Sequence, residues 1–115
     1  MVIGDSIQDK RAFIETEVLP EVIRRIVKVA QPEKIILFGS AARGEIRANS
    51  DLDLLVVARP GTHRRRLAQA IYQDLIGVGF PVDVVVVTRE DIEHYGSSVG
   101  LVLEPALREG RVVYG

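Results

Sequence analysis

Residues 34–58, KIILFGSAARGEIRANSDLDLLVVA, contain the features that decide the fold. Two apolar, β-branched runs stand at their ends, Lys34 to Phe38 and Leu52 to Ala58, and each is typical of a buried strand. Gly39 interrupts the first run, and the residues after it, from Ser40, can begin a short helix. The stretch therefore predicts two strands joined by a short helix and a polar loop.

The segment before the first strand is predicted to be helical over about residues 6–30. Residues 6–18 have only moderate helical character, and a clearer helix follows Pro20, which suits a first helical position. Gln31-Pro32 ends this helix. Its apolar residues recur at helical spacing and would form one buried face, made of Leu19, Val22, Ile23, Ile26, Val27 and Ala30.

The segment after the second strand predicts a helix with Thr62 as its N-cap and then a third strand, Val82 to Val87. Thr88 can cap a further short helix that runs through His94. The buried face of the first of these helices is expected to consist of Leu67, Ala68, Ile71, Tyr72, Leu75 and Ile76.

The C-terminal part predicts a final helix over about residues 99–107, bent near Pro105 and capped by Gly110, and then an edge strand, Arg111 to Tyr114. Helices and strands therefore alternate along the chain. This alternation predicts an α/β (α+β) domain with a mixed sheet of three to four strands and helices packed on it.

Composition limits the class of protein. The 115 residues fit one domain over residues 1–115, with a helical segment at about 6–30 and a core at about 34–115. The net charge of -1 does not favour direct nucleic-acid binding, and the lack of cysteine excludes disulfides and cysteine zinc sites. No apolar run is long enough for a membrane span and no signal peptide is visible, so we expect a cytoplasmic protein.

Three aspartates lie where strands are predicted. Asp51 and Asp53 flank Leu52, and alternate side chains of a strand point to the same face. Asp83 interrupts the apolar third strand, where an unpaired charge is costly. If the second and third strands are neighbours, the three carboxylates could converge on one point and hold a hard divalent cation such as Mg²⁺.

Gly39-Ser40 is a candidate phosphate-binding turn. The glycine allows the backbone to approach a ligand closely, the serine adds a donor, and the start of a helix favours negative charge. A phosphate-binding turn beside a metal site suits phosphoryl-type transfer, in which positioning and charge neutralisation do most of the catalysis.

The joint spacing resembles a known signature. Gly39-Ser40, ten further residues and then Asp51-Leu52-Asp53 resemble the DNA polymerase β-like nucleotidyltransferase superfamily. The string GSAARGEIRANSDLDLLVV, with Arg43-Gly44 and Ser50, is similar to its minimal nucleotidyltransferase family, and Asp83 in PVDVVVV matches the third carboxylate of that family. The resemblance spans roughly Pro20 to the C-terminus.

This resemblance implies the nucleotidyltransferase fold and a specific site. Catalytic and metal-binding roles would fall to Asp51, Asp53 and Asp83, with two Mg²⁺ ions, or Mn²⁺ in their place. Nucleotide-binding roles would fall to Gly39, Ser40, Arg43 and Ser50. The implied reaction moves a nucleoside monophosphate, AMP from ATP, onto an acceptor hydroxyl and releases pyrophosphate.

The resemblance also implies a partner. Many minimal nucleotidyltransferases are encoded beside a HEPN-type protein, and in some pairs they act as antitoxins that adenylylate the product of that neighbouring gene. The alternative is a non-catalytic antitoxin-like subunit that neutralises a HEPN partner by contact. A homo-oligomer is a further possibility, and the acceptor and base preference stay open.

Two further features remain ambiguous. The run Arg64-Arg65-Arg66 opens a helix, where cations oppose the helix dipole. It could contact an anion or RNA, but a solvated helix end is the simpler interpretation. His63 and His94 are isolated and lack metal-ligand spacing.

Overall fold

The computed structural model describes residues 12–44, 51–94, 103–104 and 106–115. A four-stranded sheet lies at its centre, in the order β3-β2-β1-β4. β1 pairs antiparallel with both of its neighbours, whereas β2 and β3 are parallel. The sheet confirms the predicted mixed sheet, and its strands are β1 Lys34–Phe38, β2 Leu52–Ala58, β3 Val82–Thr88 and β4 Arg111–Tyr114.

Helices cover both faces of the sheet. Their bounds are α1 Leu19–Ala30, α2 Gly39–Ala42, α3 Arg64–Asp74 and α4 Arg89–Glu93, and residues 103–104 and 106–109 are also helical. α1 and α3 pack on the first face, whereas Leu103, Ala106 and Ile92 of α4 pack on the second face. β2 is buried on both faces, which explains its nearly continuous apolar sequence.

The start of α1 differs from the prediction. Residues 12–13 are already helical, and the π-helical segment Ile14–Val18 runs directly into α1. Pro20 is the second residue of α1, next to the predicted first position, and the helical segment predicted before it is confirmed for residues 12–18. Leu19 donates its N–H to the carbonyl of Ile14, five residues back, and this wider turn stands just before the proline that lacks an N–H. Residues 6–11 of the predicted helical segment lie outside the described ranges.

The predicted N-cap of α3 is wrong by one residue. His63 is the N-cap, and its Nδ1 accepts a hydrogen bond from the Arg66 N–H at 3.2 Å. The hydroxyl of Thr62 instead donates to the carbonyl of Arg59 at 2.7 Å. Thr62 thus closes the preceding turn, and the imidazole one residue later takes the capping role.

Two residues predicted on the buried face of α3 are exposed. Ile76 follows the end of the helix at Asp74 and is 77% exposed. Tyr72 is 42% exposed, because its ring extends to the edge of the sheet. Its hydroxyl accepts a hydrogen bond from the Val84 N–H at 2.8 Å and lies 3.4 Å from the Val84 carbonyl, to which it donates. Ile71 and Leu75 are buried as predicted.

The elements after β3 follow the prediction where they are described. Thr88 caps α4 in a capping box, because its hydroxyl accepts from the Asp91 N–H while the Asp91 carboxylate accepts from the Thr88 N–H. Gly110 ends the last helical turn by donating its N–H to the Ala106 carbonyl at 2.9 Å. Residues 99–102 and Pro105 of the predicted final helix lie outside the described ranges. Nowhere in those ranges is a helix long and apolar enough to cross a bilayer.

Candidate active site

The register of the sheet brings the three aspartates together. β2 and β3 are parallel, and Asp53 is the direct partner of Asp83. Directly paired residues share a face, and Asp51 precedes Asp53 by two positions. Asp51 lies close enough to Asp83 for its charge to act on that carboxyl group. β2 and β3 are therefore neighbours, as the prediction required, and the aspartates lie near one another at the amino-terminal ends of these strands.

The carboxylates affect one another electrostatically. Partial burial raises the pKa of Asp53, and the nearby charges of Asp83 and Asp51 raise it further. Desolvation also raises the pKa of Asp83, and the charge of Asp51 adds to that effect. The cluster therefore favours a proton, or a cation in its place.

The chemistry of this donor set fits a hard divalent cation. Carboxylate oxygens are the ligands that Mg²⁺ prefers, and a cation would relieve the mutual repulsion of the cluster. Across the described ranges, no three Asp, Glu, His or Cys side chains are already arranged as a metal cage. The fit therefore rests on the charge and chemistry of the three carboxylates, and further oxygen ligands would have to come from water or from a bound substrate.

Gly39 lies directly against this cluster. Its φ of +74° is in the left-handed region that favours glycine. A β-carbon at this position would overlap Oδ2 of Asp53 and lie only 3.1 Å from the Asp53 Cγ. The turn after β1 can therefore pack onto the Asp53 carboxylate only because residue 39 is a glycine and has no side chain. Ser40 follows in α2 and is half-buried.

Arg43 lies near the Asp53 carboxylate. Its charge lowers the pKa of Asp53 and so opposes the effects of burial and of the other aspartates. Its Nη1 is 3.6 Å from Oε1 of Glu109. The sequence did not single out Glu109, because the two residues are far apart in the chain and no local pattern connects them. Ser50, the last predicted nucleotide-binding residue, lies outside the described ranges.

The arginine run lies away from the carboxylates. The aspartates occupy the amino-terminal ends of β2 and β3, whereas α3 begins after the carboxyl-terminal end of β2. Arg64 forms an ion pair with Asp91, with 3.2 Å between Nη1 and Oδ2. Arg64-Arg65-Arg66 is therefore not part of this site.

Comparison with solved structures supports the fold. A proposed nucleotidyltransferase from Sulfolobus solfataricus matches with a TM-score of 0.65 at 17% identity, over 97% of this chain and 89% of that chain. A toxin–antitoxin complex with AMP-PNP matches with a TM-score of 0.52 at 25% identity, over 84% and 73% of the two chains. Among curated proteins, none matches this chain.

Sequence comparison identifies the family. A family model described as a nucleotidyltransferase domain matches residues 17–109. A proposed minimal nucleotidyltransferase of known structure is 31% identical over 92% of this chain and 94% of that chain, with a TM-score of 0.48. The chain therefore belongs to the nucleotidyltransferase domain family, and its motif resembles the minimal members of that superfamily.

Proposed function

We propose that this chain transfers AMP from ATP to a hydroxyl group of a HEPN-type partner protein and thereby acts as its antitoxin. Family membership establishes the general class, nucleotidyl transfer. The observation that carries the proposal is the convergence of Asp51, Asp53 and Asp83 beside Gly39. The similar toxin–antitoxin complex contains AMP-PNP, an ATP analogue, which supports the choices of ATP and of a toxin partner. The HEPN assignment rests on the resemblance of the motif.

The three aspartates would hold the metal ions, two Mg²⁺ or Mn²⁺ in their place. Desolvation raises the pKa of Asp53 and of Asp83, and the charges of neighbouring aspartates raise both further, so a divalent cation would relieve the unfavourable negative charge at these two residues. When bound, Mg²⁺ would neutralise the developing charge on the triphosphate and on the pyrophosphate that leaves.

The transfer itself would need little covalent chemistry from the protein. The acceptor oxygen attacks the α-phosphorus, and the bond from that phosphorus to the oxygen that bridges to the β-phosphate breaks. Pyrophosphate leaves with the electron pair of this bond. We assign the acceptor proton to Asp83, because its side chain is exposed and a carboxylate with a raised pKa is a better proton acceptor than an ordinary one.

The turn after β1 would bind the phosphates. Gly39 leaves the backbone uncovered next to Asp53, and Ser40 adds a hydroxyl donor beside it. Arg43 carries a guanidinium near Asp53, and arginine can donate two hydrogen bonds to one phosphate group. Ser50 is assigned to the nucleotide from the motif. These residues complete one site for a metal–triphosphate complex.

Label transfer tests this function. The chain is incubated with Mg²⁺, the product of its neighbouring gene and ATP labelled at either the α- or the γ-phosphate. We expect the α-label to appear on the neighbour and the γ-label to leave as pyrophosphate. Asp53→Asn and Asp83→Asn should abolish transfer. Asp74→Asn is the matched control, because Asp74 lies on α3 and forms an ion pair with Lys28 at 3.2 Å.

The same experiment distinguishes the alternative function. If the wild-type chain binds its neighbour tightly but transfers no label, the chain acts as a non-catalytic antitoxin-like subunit. Full transfer by either active-site variant would contradict the catalytic assignment of that aspartate.

A further inference from the structure

The strand that carries Asp83 lies at an edge of the sheet. β3 has β2 as its neighbour on one side, where Asp83 is the direct partner of Asp53. On its outer side, an edge strand presents backbone groups that no further strand binds. The position of the Asp83 carboxylate therefore depends on what holds the outer side of β3 at this point.

The Tyr72 hydroxyl holds the outer side of β3 next to Asp83. It accepts a hydrogen bond from the Val84 N–H at 2.8 Å and lies 3.4 Å from the Val84 carbonyl oxygen. The Val84 nitrogen belongs to the same peptide unit as the carbonyl group and the α-carbon of Asp83. Because a peptide unit is planar, a bond that fixes the Val84 N–H also orients the plane that ends at the Asp83 α-carbon.

Tyr72 acts on Asp83 through the backbone. Tyr72 lies on α3, which packs against the first face of the sheet, and Val84 is buried on that face. Asp83 precedes Val84 by one residue, so its side chain points to the second face. The phenol and the carboxylate are therefore on opposite faces of the sheet, and this geometry suits a positioning role.

The inner side of the same region is also held. The Leu52 N–H, between Asp51 and Asp53, donates a hydrogen bond to the Pro81 carbonyl at 3.0 Å. This bond joins the start of β2 to the residue directly before β3. Asp83 therefore lies between a bond to β2 two residues before it and the Tyr72 bond one residue after it.

We propose that Tyr72 is a positioning residue, whose hydroxyl holds Asp83 where metal binding and nucleotidyl transfer require it. This inference rests on the proposed function, in which Asp83 binds a metal ion and takes the acceptor proton. Removal of a group that orients a metal ligand typically lowers metal affinity or activity by about 10- to 100-fold. A purely structural tyrosine would instead affect stability alone.

Two variants separate these roles. Tyr72→Phe removes the hydroxyl and keeps the ring. Thr88→Ala is the matched control, because it removes the N-cap of α4 at the other end of the same strand. Each change should lower the melting temperature by about 4 °C. The two variants then have similar stability, and only Tyr72→Phe alters the backbone next to Asp83.

Binding of Mn²⁺ in the presence of a non-hydrolysable ATP analogue tests the position of Asp83 without turnover. We expect Tyr72→Phe to bind Mn²⁺ about tenfold more weakly than the wild type, and Thr88→Ala to bind it equally well. Equal affinity of Tyr72→Phe and the wild type, or an equal loss in both variants, would overturn the proposal. A wild-type chain that binds no Mn²⁺ would overturn it together with the metal assignment.

The label-transfer assay at saturating Mg²⁺ and well below the melting temperature gives a second measurement. Tyr72→Phe should lower kcat by about tenfold and leave KM for ATP nearly unchanged, because the Gly39 turn and Asp53 stay in place. Thr88→Ala should keep both constants. An unchanged kcat for Tyr72→Phe would overturn the proposal. If the wild type binds Mn²⁺ but transfers no label, the proposed function fails, and the Mn²⁺ affinities still decide the role of Tyr72.

Discussion

The α-carbon of Gly39 lies directly against the carboxylate of Asp53, so closely that a β-carbon would overlap Oδ2. This contact joins the turn after β1 to the carboxylate cluster at the start of β2 and β3. It connects the candidate phosphate-binding turn with the candidate metal ligands, and it makes the geometry of one depend on the other.

Replacement of Gly39 by alanine should therefore reduce activity more than stability. The left-handed backbone costs an L-residue about 1–2 kcal/mol, and the new methyl group would also displace Asp53. A displacement of this kind can reduce the rate by about 100-fold. Gly61→Ala is the matched control: Gly61 has a similar φ of +82°, but a β-carbon there meets nothing within 4 Å. Equal activity in the two variants would contradict this role of Gly39.

Asp83→Asn should abolish transfer and leave the metal-free protein at least as stable as the wild type. The raised pKa means that the folded state binds the Asp83 proton more tightly than the unfolded state does. Ionisation of Asp83 therefore lowers the free energy of unfolding, and the full effect is present above the folded-state pKa. The effect disappears as the pH falls below the pKa of the unfolded chain, about 3.8.

Thermal unfolding at several pH values measures this effect. The advantage of Asp83→Asn should be largest at neutral pH and vanish in acid. A variant less stable than the wild type at neutral pH would show that the carboxylate stabilises the fold.

Tyr72→Phe should destabilise the fold by about 1 kcal/mol, because it removes the hydroxyl that bonds to the Val84 backbone. For a domain of this size, the melting temperature should fall by about 4 °C. Tyr114→Phe is the control, since the Tyr114 hydroxyl makes no hydrogen bond within the described ranges. If both variants melt at the same temperature as the wild type, the Tyr72 hydroxyl does not stabilise the fold through the Val84 backbone.

Glu21 should titrate far below an ordinary glutamate. Hydrogen bonds from Arg24 and Arg25 lower its pKa from 4.5 to about 2. Because the folded-state value is depressed, the ion pairs contribute to stability above pH 4.5 and lose that contribution as the pH falls towards 2. A carboxyl NMR titration measures the midpoint directly. In the Arg24→Gln Arg25→Gln double variant the midpoint should return towards 4.5.

The sequence predicted the fold where periodicity and spacing are strong. The two strands around the Gly39 turn follow from apolar runs, and the convergence of Asp53 with Asp83 follows from strand alternation once β2 and β3 are neighbours. The edge strand Arg111–Tyr114 also followed, from the glycine before it and the short apolar pattern.

The features that the sequence did not predict depend on tertiary contacts. Tyr72 has the helical spacing of a core residue, but the position of the β3 edge decides where its ring lies. The pairing of Glu109 with Arg43 joins two distant parts of the chain without a local signal. The choice of His63 over Thr62 as the N-cap depends on which of two neighbouring polar side chains closes the preceding turn.

Calorimetric titration with a non-hydrolysable ATP analogue tests most directly whether the aspartate cluster and the Gly39 turn form one metal–triphosphate site. We expect the wild-type chain and the Asp74→Asn control to bind the analogue in the presence of Mg²⁺ and to lose binding when Mg²⁺ is chelated. Asp53→Asn should bind at least about tenfold more weakly, a difference of about 1.4 kcal/mol. Binding of equal strength without Mg²⁺, or by Asp53→Asn, would contradict the assignment.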